Sequence, residues 1–420
     1  MTAHRLPRML TCRQRLYRAP LAHGTISELT RAQLAGLGLA QRIRPGHSVA
    51  IGAGSRGIAN YDLVMQATVD HVKFLGATPF IFPAMGSHGG ATAEGQAALL
   101  AGLGIDERSM GCPIRSSMDV VELGRSAEGL PVYLDKHAAG ADAIIVVNRV
   151  KPHTNFRGHV ESGLMKMLAI GTGKQAQAFA IHKIGARGLS DFMPGIGRVV
   201  LAKAPVVAGV AILEDACHAT TDIVALAPQT LEADEAKLLD RVRSWSPKLP
   251  VDDLDLLICE RIGKDVSGTG MDTNVIGRVQ LVDFAAFDRP RIHIIVGLGL
   301  TEGTHGNAIG MGLCDLITRR LADAVDPVST RVNVITGQCP KNGAMPPVME
   351  TDRDAIVSAL EYLVPGHAPH EATVIRLADT LHLDEFQVSE ALVPALAGRD
   401  GIELVGEAQP LTFAADGSLI

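Results

Sequence analysis

Aromatic residues are scarce in this sequence, 4% of 420 with a single Trp, which leaves few rings on which nucleic-acid bases could stack. Positive charge is short as well: 39 Lys and Arg stand against 45 Asp and Glu, a formal net charge of −6. That balance offers no whole-chain attraction to a phosphate backbone and excludes nucleic acid as a partner. The six cysteines (Cys12, Cys112, Cys217, Cys259, Cys314 and Cys339) lie far apart in sequence. A zinc ribbon or iron–sulfur cluster needs clustered thiolates, and disulfide scaffolds belong to much shorter secreted chains, so reduced and mostly buried thiols are expected. No run approaches the ~18 apolar residues of a membrane-spanning helix. Arg5, Arg8, Arg13, Arg15 and Arg18 precede the first acidic residue, Glu28, but no apolar segment follows them. The N-terminus therefore reads as a solvated basic arm rather than a secretory signal, and a cytoplasmic location is expected.

What the sequence does have is apolar residues, 47%, and glycine, 44 residues. Together these suit an α/β enzyme with many tight strand–helix turns. The length favours two domains. Short apolar runs at residues 48–53, 78–82, 143–147 and 206–213 alternate with amphipathic stretches at 61–75 and 92–103, the rhythm of βαβ units and parallel sheets. Between residues 235 and 251 the chain turns polar and then Pro-rich, with Pro247 and Pro250 marking a linker. Strands are expected again at 255–259, 291–297, 331–335 and 372–377, with a helix over 312–325. The fold class is α/β: two α/β domains, 1–248 and 249–420, with parallel or mixed sheets, an active-site cleft between them, and the last twenty or so residues packing back on the first domain.

Three segments carry chemistry. Gly52-Ala53-Gly54-Ser55-Arg56-Gly57 fits G-x-G-x-x-G after a strand and before a helix. A dinucleotide site also needs an acid after the next strand, where Pro83-Ala84-Met85-Gly86 has none. An anion-binding turn with Arg56 facing a carboxylate or phosphate remains, as does a purely structural turn. Met85-Gly86-Ser87-His88-Gly89-Gly90 places His88 in a second strand-to-helix loop, with little bulk around it to pack against. The third segment runs from Lys151-Pro152-His153 through His159, Glu161-Ser162-Gly163 and Lys166 to Gly171-Thr172-Gly173-Lys174 and His182. Glu161 is the only acid from Lys151 to Ser190, too few for a hydrolytic metal centre, and Gln175 stands where a P-loop needs Ser or Thr. His159 and His305 read as local pairing or loop residues, and Glu214-Asp215 as a solvated loop.

The third segment resembles the lactate racemases that use a nickel-pincer nucleotide. In that family a Pro-His pair precedes a Gly/Ser-rich stretch ending in a Lys that can be attached covalently to the cofactor; a Gly follows five residues later and a nickel-ligating His sixteen residues later. Here Lys166, Gly171 and His182 keep both spacings, Ser162-Gly163 stands where the family has Ser-Gly-Gly, and Pro152-His153 matches the Pro-His pair. The stretch from His153 to Lys166 is about three residues longer than in lactate racemase itself. The segment Gly268 to Asp272-Thr273-Asn274 is similar to a family Gly-x-x-x-Asp-x-Asn motif, whereas Gly277 and Gln280 replace the family's lactate-holding Gln and Lys, with Arg278 as a substitute.

The resemblance implies a racemase or epimerase of a 2-hydroxy acid that works by reversible hydride transfer through a 2-oxo acid. Within it His88 and His153 are the two catalytic bases, Arg56 and Arg278 bind substrate, Lys166, Ser162, Gly163 and Gly171 hold a nickel-pincer nucleotide, and His182 ligates nickel. Lys166 is the residue for a covalent tether. Cofactor-assembly proteins are implied as partners. Two other readings stay open on the residues alone: an NAD-dependent oxidoreductase built on GAGSRG, and a non-catalytic cofactor-binding protein. Without the resemblance, Lys166 also reads as a helix-terminus cation and His182 as the interface histidine of an amphipathic helix.

Overall fold

The computed structural model describes residues 5–55, 57–185, 187–280 and 287–420. Among them the strands, in chain order, are β1 (Arg8–Gln14), β2 (Ser48–Ala53), β3 (Thr78–Pro83), β4 (Val120–Arg125), β5 (Pro131–Asp135), β6 (Ala143–Arg149), β7 (Val206–Glu214) and β8 (Thr220–Leu226), then β9 (Asp253–Cys259), β10 (Arg291–Gly297), β11 (Leu316–Thr318), β12 (Val348–Met349), β13 (Val374–Leu377), β14 (Glu385–Ser389) and β15 (Ile402–Pro410). The fold is α/β. The chain divides into two units, Tyr17–Ser246, and Met1–Leu16 together with Pro247–Ile420. Among the described residues no helix is long and apolar enough to cross a membrane.

In the unit Tyr17–Ser246 a five-stranded sheet runs β3-β2-β6-β7-β8, with β8 antiparallel to β7 and the other pairs parallel. Its central strands are buried on both faces, which is why β6 reads as the continuous run Ala143-Ile144-Ile145-Val146-Val147 rather than as an alternation. Val64, Met65 and Val72 of the helix Tyr61–Phe74 pack with Val49, Ile51 and Ile145 of the sheet. Each such fully buried aliphatic side chain contributes about 1.5–3 kcal/mol. The register aligns Ala53 with Pro83 on one side and Val147 on the other. The loops after β2, β3 and β6 therefore leave the same carboxyl edge. Because β3 and β6 flank β2 on opposite sides, the order reverses between β2 and β6, the switch point where open α/β sheets bind ligands.

The other unit carries an eight-stranded mixed sheet, β12-β11-β10-β9-β13-β14-β1-β15. One expectation is corrected here. The N-terminal arm is not solvated: β1 pairs antiparallel with both β14 and β15. Met9, Leu10 and Cys12 are buried while Arg13 pairs with Glu385 at 2.8 Å, so the arginines mask a strand whose apolar residues are spent on the core. The C-terminal stretch lies in the same unit: β15 pairs with β1, Arg376 donates to the Ile420 carbonyl (2.8 Å) and the Leu419 N–H donates to Asp352 (3.0 Å).

Residues 331–335, expected as a strand, lie inside the helix Pro327–Thr336. Its start is set by Pro327 in the first turn and by Asp326, which accepts the Val328 N–H at 2.9 Å. Those capping signals outweigh the β-branched content. The helix expected over 312–325 is instead the short strand β11 followed by the helix Arg319–Asp323, with Thr318 as its cap. A polar stretch from residue 235 that looked like linker is the second half of the helix Leu231–Trp245.

Candidate active site

At the end of β2 the Gly54 N–H donates to the Tyr61 hydroxyl (2.6 Å), which donates in turn to the Val147 carbonyl (3.0 Å). This chain ties the carboxyl ends of β2 and β6 together. A Cβ on Gly54 would stand 3.2 Å from Asn148 Oδ1 and 3.3 Å from Met167 Cε, so the glycine serves close approach of protein to protein. Ser55 follows, its hydroxyl in hydrogen-bond contact with Nδ1 of His88. Arg56 lies outside the described residues.

His88 is exposed on the loop after β3. The Gly86 N–H donates to the Gly171 carbonyl (3.1 Å), which joins this loop to the third segment. Buried Gln96 donates to the carbonyls of Gly86 (2.8 Å) and His88 (3.1 Å). Gln96 is held by Lys174, whose ammonium donates to its Oε1 at 3.0 Å and to the Pro83 carbonyl, and pairs with Asp135 at 3.2 Å. Lys174 and Asp135 are both fully buried. The lysine of GTGK is thus a strut under the His88 loop and not a phosphate ligand.

The segment after β6 doubles back: Lys151 and Ser162 exchange backbone hydrogen bonds (2.8 and 3.2 Å), and Asn148 donates to the Gly163 carbonyl (3.1 Å). Inside this turn Glu161 is fully buried; it accepts the N–H groups of His153 (2.6 Å) and Gly158 (3.1 Å) and pairs with Arg243 at 2.5 Å. His153 is half-buried against Phe156, ring centroids 4.4 Å apart, and its Nδ1 accepts the Asn155 N–H at 3.0 Å. The chain then forms a broken helix: Leu164–Lys166, a π-helical turn Met167–Gly171, and Lys174–His182. Such π-turns mark functional sites more often than chance would give.

Charge shows which of these side chains act on one another. The His153 imidazole is held well below its ordinary range, first by burial and then by the cations Lys166 and Lys151, with His182 and Arg157 adding to the effect. His182 is lowered by burial and by Lys166. His153, Lys166 and His182 therefore share one cation-rich neighbourhood, and both imidazoles are neutral at neutral pH. Among the described residues no three His, Cys, Asp or Glu side chains converge on a common point.

Two glycines of the third segment are demanded by packing. A Cβ on Gly171 would stand 2.5 Å from the Ala84 carbonyl oxygen, and one on Gly163 would stand 2.1 Å from Glu235 Oε1. Glu235 lies buried beneath the start of Leu164–Lys166, accepts the Met165 N–H (2.7 Å), and is pushed up to about 8 by burial. Its Oε1 has no hydrogen-bond partner among the described residues. The unfolded chain releases this proton near pH 4.5 and the folded protein only near 8, so stability falls across that window as pH rises. Replacing Glu235 with Gln is expected to remove a pH-dependent loss on the order of a few kcal/mol. Urea unfolding of both proteins at pH 5 and pH 8 checks this; equal pH dependence in the two would refute it.

Some expectations are redirected. Arg278 sits in the other unit, where its guanidinium donates to the carbonyls of Leu313, Ile292 and His293 (3.0, 2.8 and 2.8 Å) and pairs with Asp315 (2.7 Å). Its donors are consumed by the protein itself, so the substrate contact expected of it finds no support. Asp272 caps the helix Thr273–Ile276. Glu214 and Asp215 are buried rather than solvated: Glu214 pairs with Arg149 at 2.5 Å, and Asp215 accepts the N–H groups of Cys217 and Ala219. His159 pairs at 2.6 Å with Glu232, which lies far off in the sequence, and not with a local partner. Glu235 gave no sequence signal; Ser55, Asn155 and Lys174 lay inside the motifs without a role being read for them, and Glu161 stood out as the lone acid among cations.

Comparison with known proteins places the similarity on this unit. Residues 49–187 match the family model of the lactate racemase N-terminal domain, which bears out the resemblance read from the third segment. The lactate racemase apoprotein from Thermoanaerobacterium thermosaccharolyticum is similar in fold, with a TM-score of 0.53 and 13% identity over 87% of this chain and 93% of that one. A protein of Thermotoga maritima aligns over 67% of this chain and 72% of its own, at 12% identity and a TM-score of 0.44. No curated protein is significantly similar in sequence.

Proposed function

We propose that this chain, which carries a lactate racemase-type N-terminal segment at residues 49–187, is a racemase or epimerase of a 2-hydroxy acid that works with a nickel-pincer nucleotide. One observation carries the reading: His153, Lys166 and His182 lie in one neighbourhood, and the exposed His88 stands on a loop bonded to Gly171 of the same segment. Two neutral imidazoles beside several cations suit an anionic substrate whose hydroxyl proton must move.

The donor set fits the cofactor. His182 offers a neutral imidazole nitrogen, the form that binds nickel, and Lys166 stands beside it as an amine for a covalent tether. With no second and third ligand converging among the described residues, a metal here has to arrive with most of its donors already in place, as it does in a pincer nucleotide. Ser162, half-buried across from Lys151, and the turn through Gly163 and Gly171 form the rest of the cradle. When bound, the cofactor supplies a reversible acceptor for the α-hydrogen as hydride, so that the hydroxy acid passes through its 2-oxo acid. The chain itself does the rest. His88, partnered by Ser55, takes the hydroxyl proton and returns it. The cations around His153 hold the carboxylate and oppose protonation of the rings. The Glu161 clamp and the Gly86–Gly171 bond keep both histidine loops in place.

The test is elemental analysis of protein made beside a working cofactor-assembly pathway, followed by racemisation assays on a panel of chiral 2-hydroxy acids. Near-stoichiometric nickel is expected in the wild type and its loss in His182→Ala. Wild-type protein without nickel, or equal nickel in the variant, refutes the reading.

A further inference from the structure

We infer that Glu235 is the positioning residue for Lys166: it caps the buried turn Leu164–Lys166 and so decides which side chain of that turn emerges in the neighbourhood of His153 and His182. This rests on the reading that Lys166 holds the cofactor. The first N–H groups of a helix have no partner within it and need an acceptor from elsewhere. Gly163, at the cap position of this turn, has no side chain to offer one. Glu235, seventy residues on from Met165 and in the helix Leu231–Trp245, supplies it. One of its oxygens accepts the Met165 N–H at 2.7 Å, and the Leu164 N–H also bonds to the carboxyl group. From the other side the Gly163 carbonyl accepts the Met167 N–H (3.0 Å) and the Asn148 amide (3.1 Å).

The packing is built around this contact. A Cβ on Gly163 would stand 2.1 Å from Glu235 Oε1, so the glycine that the resemblance gives to the cofactor cradle is required by the acid. On β7 a Cβ on Gly209 would stand 2.7 Å from Leu164 and 2.9 Å from Leu231, so a glycine there lets the turn and the helix of Glu235 settle together on the sheet. Pushed up to about 8 by burial, Glu235 caps the turn at neutral pH mainly as the uncharged acid and needs no counter-charge from it. Of residues 163 to 174 Lys166 alone is not buried. The segment thus brings one side chain outward, and a slip of one residue would turn it by about 100°. Met165 or Met167 would then emerge, and the amine would be carried inward, where charge is disfavoured. The cap fixes the phase because its acceptor is spent on the N–H groups of particular residues. Glu235 lies outside the family-matched residues 49–187, so the site draws on a helix beyond them.

The test labels Lys166 directly. Protein made without cofactor is treated with acetic anhydride, and acetylation of Lys166 is timed by peptide mass spectrometry against the exposed Lys341 of the other unit. In Glu235→Leu, and in Glu235→Asp, whose side chain is shorter by one methylene, the Lys166 rate is expected to fall about tenfold as the amine turns inward, with Lys341 unchanged. Glu235→Gln keeps an oxygen for the Met165 N–H and is expected to restore the wild-type rate. In protein made beside a cofactor-assembly pathway, nickel content is expected to fall about tenfold in the Leu and Asp variants and to hold in the Gln variant. Thermal unfolding of the same samples identifies the variants that are folded. A wild-type Lys166 rate in a folded Leu or Asp variant, or a Gln variant as slow as these, overturns the inference. Because labelling needs neither cofactor nor turnover, failure of the cap and failure of the racemase reading are separately visible.

Discussion

His88→Ala is expected to lower kcat for hydroxy-acid racemisation by about 10²–10⁴-fold while changing KM little, the usual loss when a positioned proton-transfer group is removed. The expectation follows from where the ring sits. His88 stands at the carboxyl edge of the sheet, on the loop after β3, and is exposed. Removing it therefore leaves the fold intact, with a stability change within about 0.5 kcal/mol. The loop keeps its shape through backbone contacts, since Gln96 holds the His88 and Gly86 carbonyls and Gly86 is bonded to Gly171. A loss of activity is then chemical and not a side effect of unfolding. Ser55→Ala, which removes the ring's partner but not the ring, is expected to cost about tenfold. Steady-state kinetics with thermal unfolding on the same samples decide the matter; unchanged kcat in His88→Ala would remove this histidine from the mechanism.

Lys174→Met is expected to destabilise the protein by about 3–5 kcal/mol, because it leaves the buried Asp135 carboxylate without its counter-charge. Burial acts against the lysine's charge and Asp135 restores part of it, so the pair survives only as a pair. The same ammonium also satisfies Gln96 Oε1 and the Pro83 carbonyl, so the substitution orphans two further buried acceptors. Asp135→Asn in the same chain keeps the oxygen that accepts the N–H groups of His137 and Ala138 while removing the charge. The double variant is accordingly expected to recover part of the loss, a coupling that a double-mutant cycle in urea measures. A single-variant loss below about 1 kcal/mol would contradict the account of this pair.

Much of the N-terminal unit was legible in the sequence because its information is local. Continuous apolar runs bounded by turn residues place β2, β3 and β6, and a parallel sheet built from them sends the loops of Ser55, His88 and His153 to one edge. The spacing of Lys166, Gly171 and His182 pointed to a family that residues 49–187 match. Elsewhere local signals misled. Arginines hid the alternation of β1, whose partners lie almost four hundred residues away, and β-branched residues imitated a strand in the helix Pro327–Thr336. Arg278 looked like a substrate ligand because nothing near it in sequence reveals the three carbonyls that occupy it.

The sequence by itself determined the fold class, the strand ends that carry the candidate site and the identity of its histidines, because periodicity and turn chemistry act between near neighbours. Only the tertiary structure decided the states of those side chains. The turn that carries His153 is held by Glu161 and Arg243, which close on it from eight and ninety residues away. That Glu235 is protonated, and that Lys174 is a strut, depends on burial created by segments distant in the chain. Protonation and tautomer are set by desolvation and by partners brought together in space, and no spacing within a sequence encodes either.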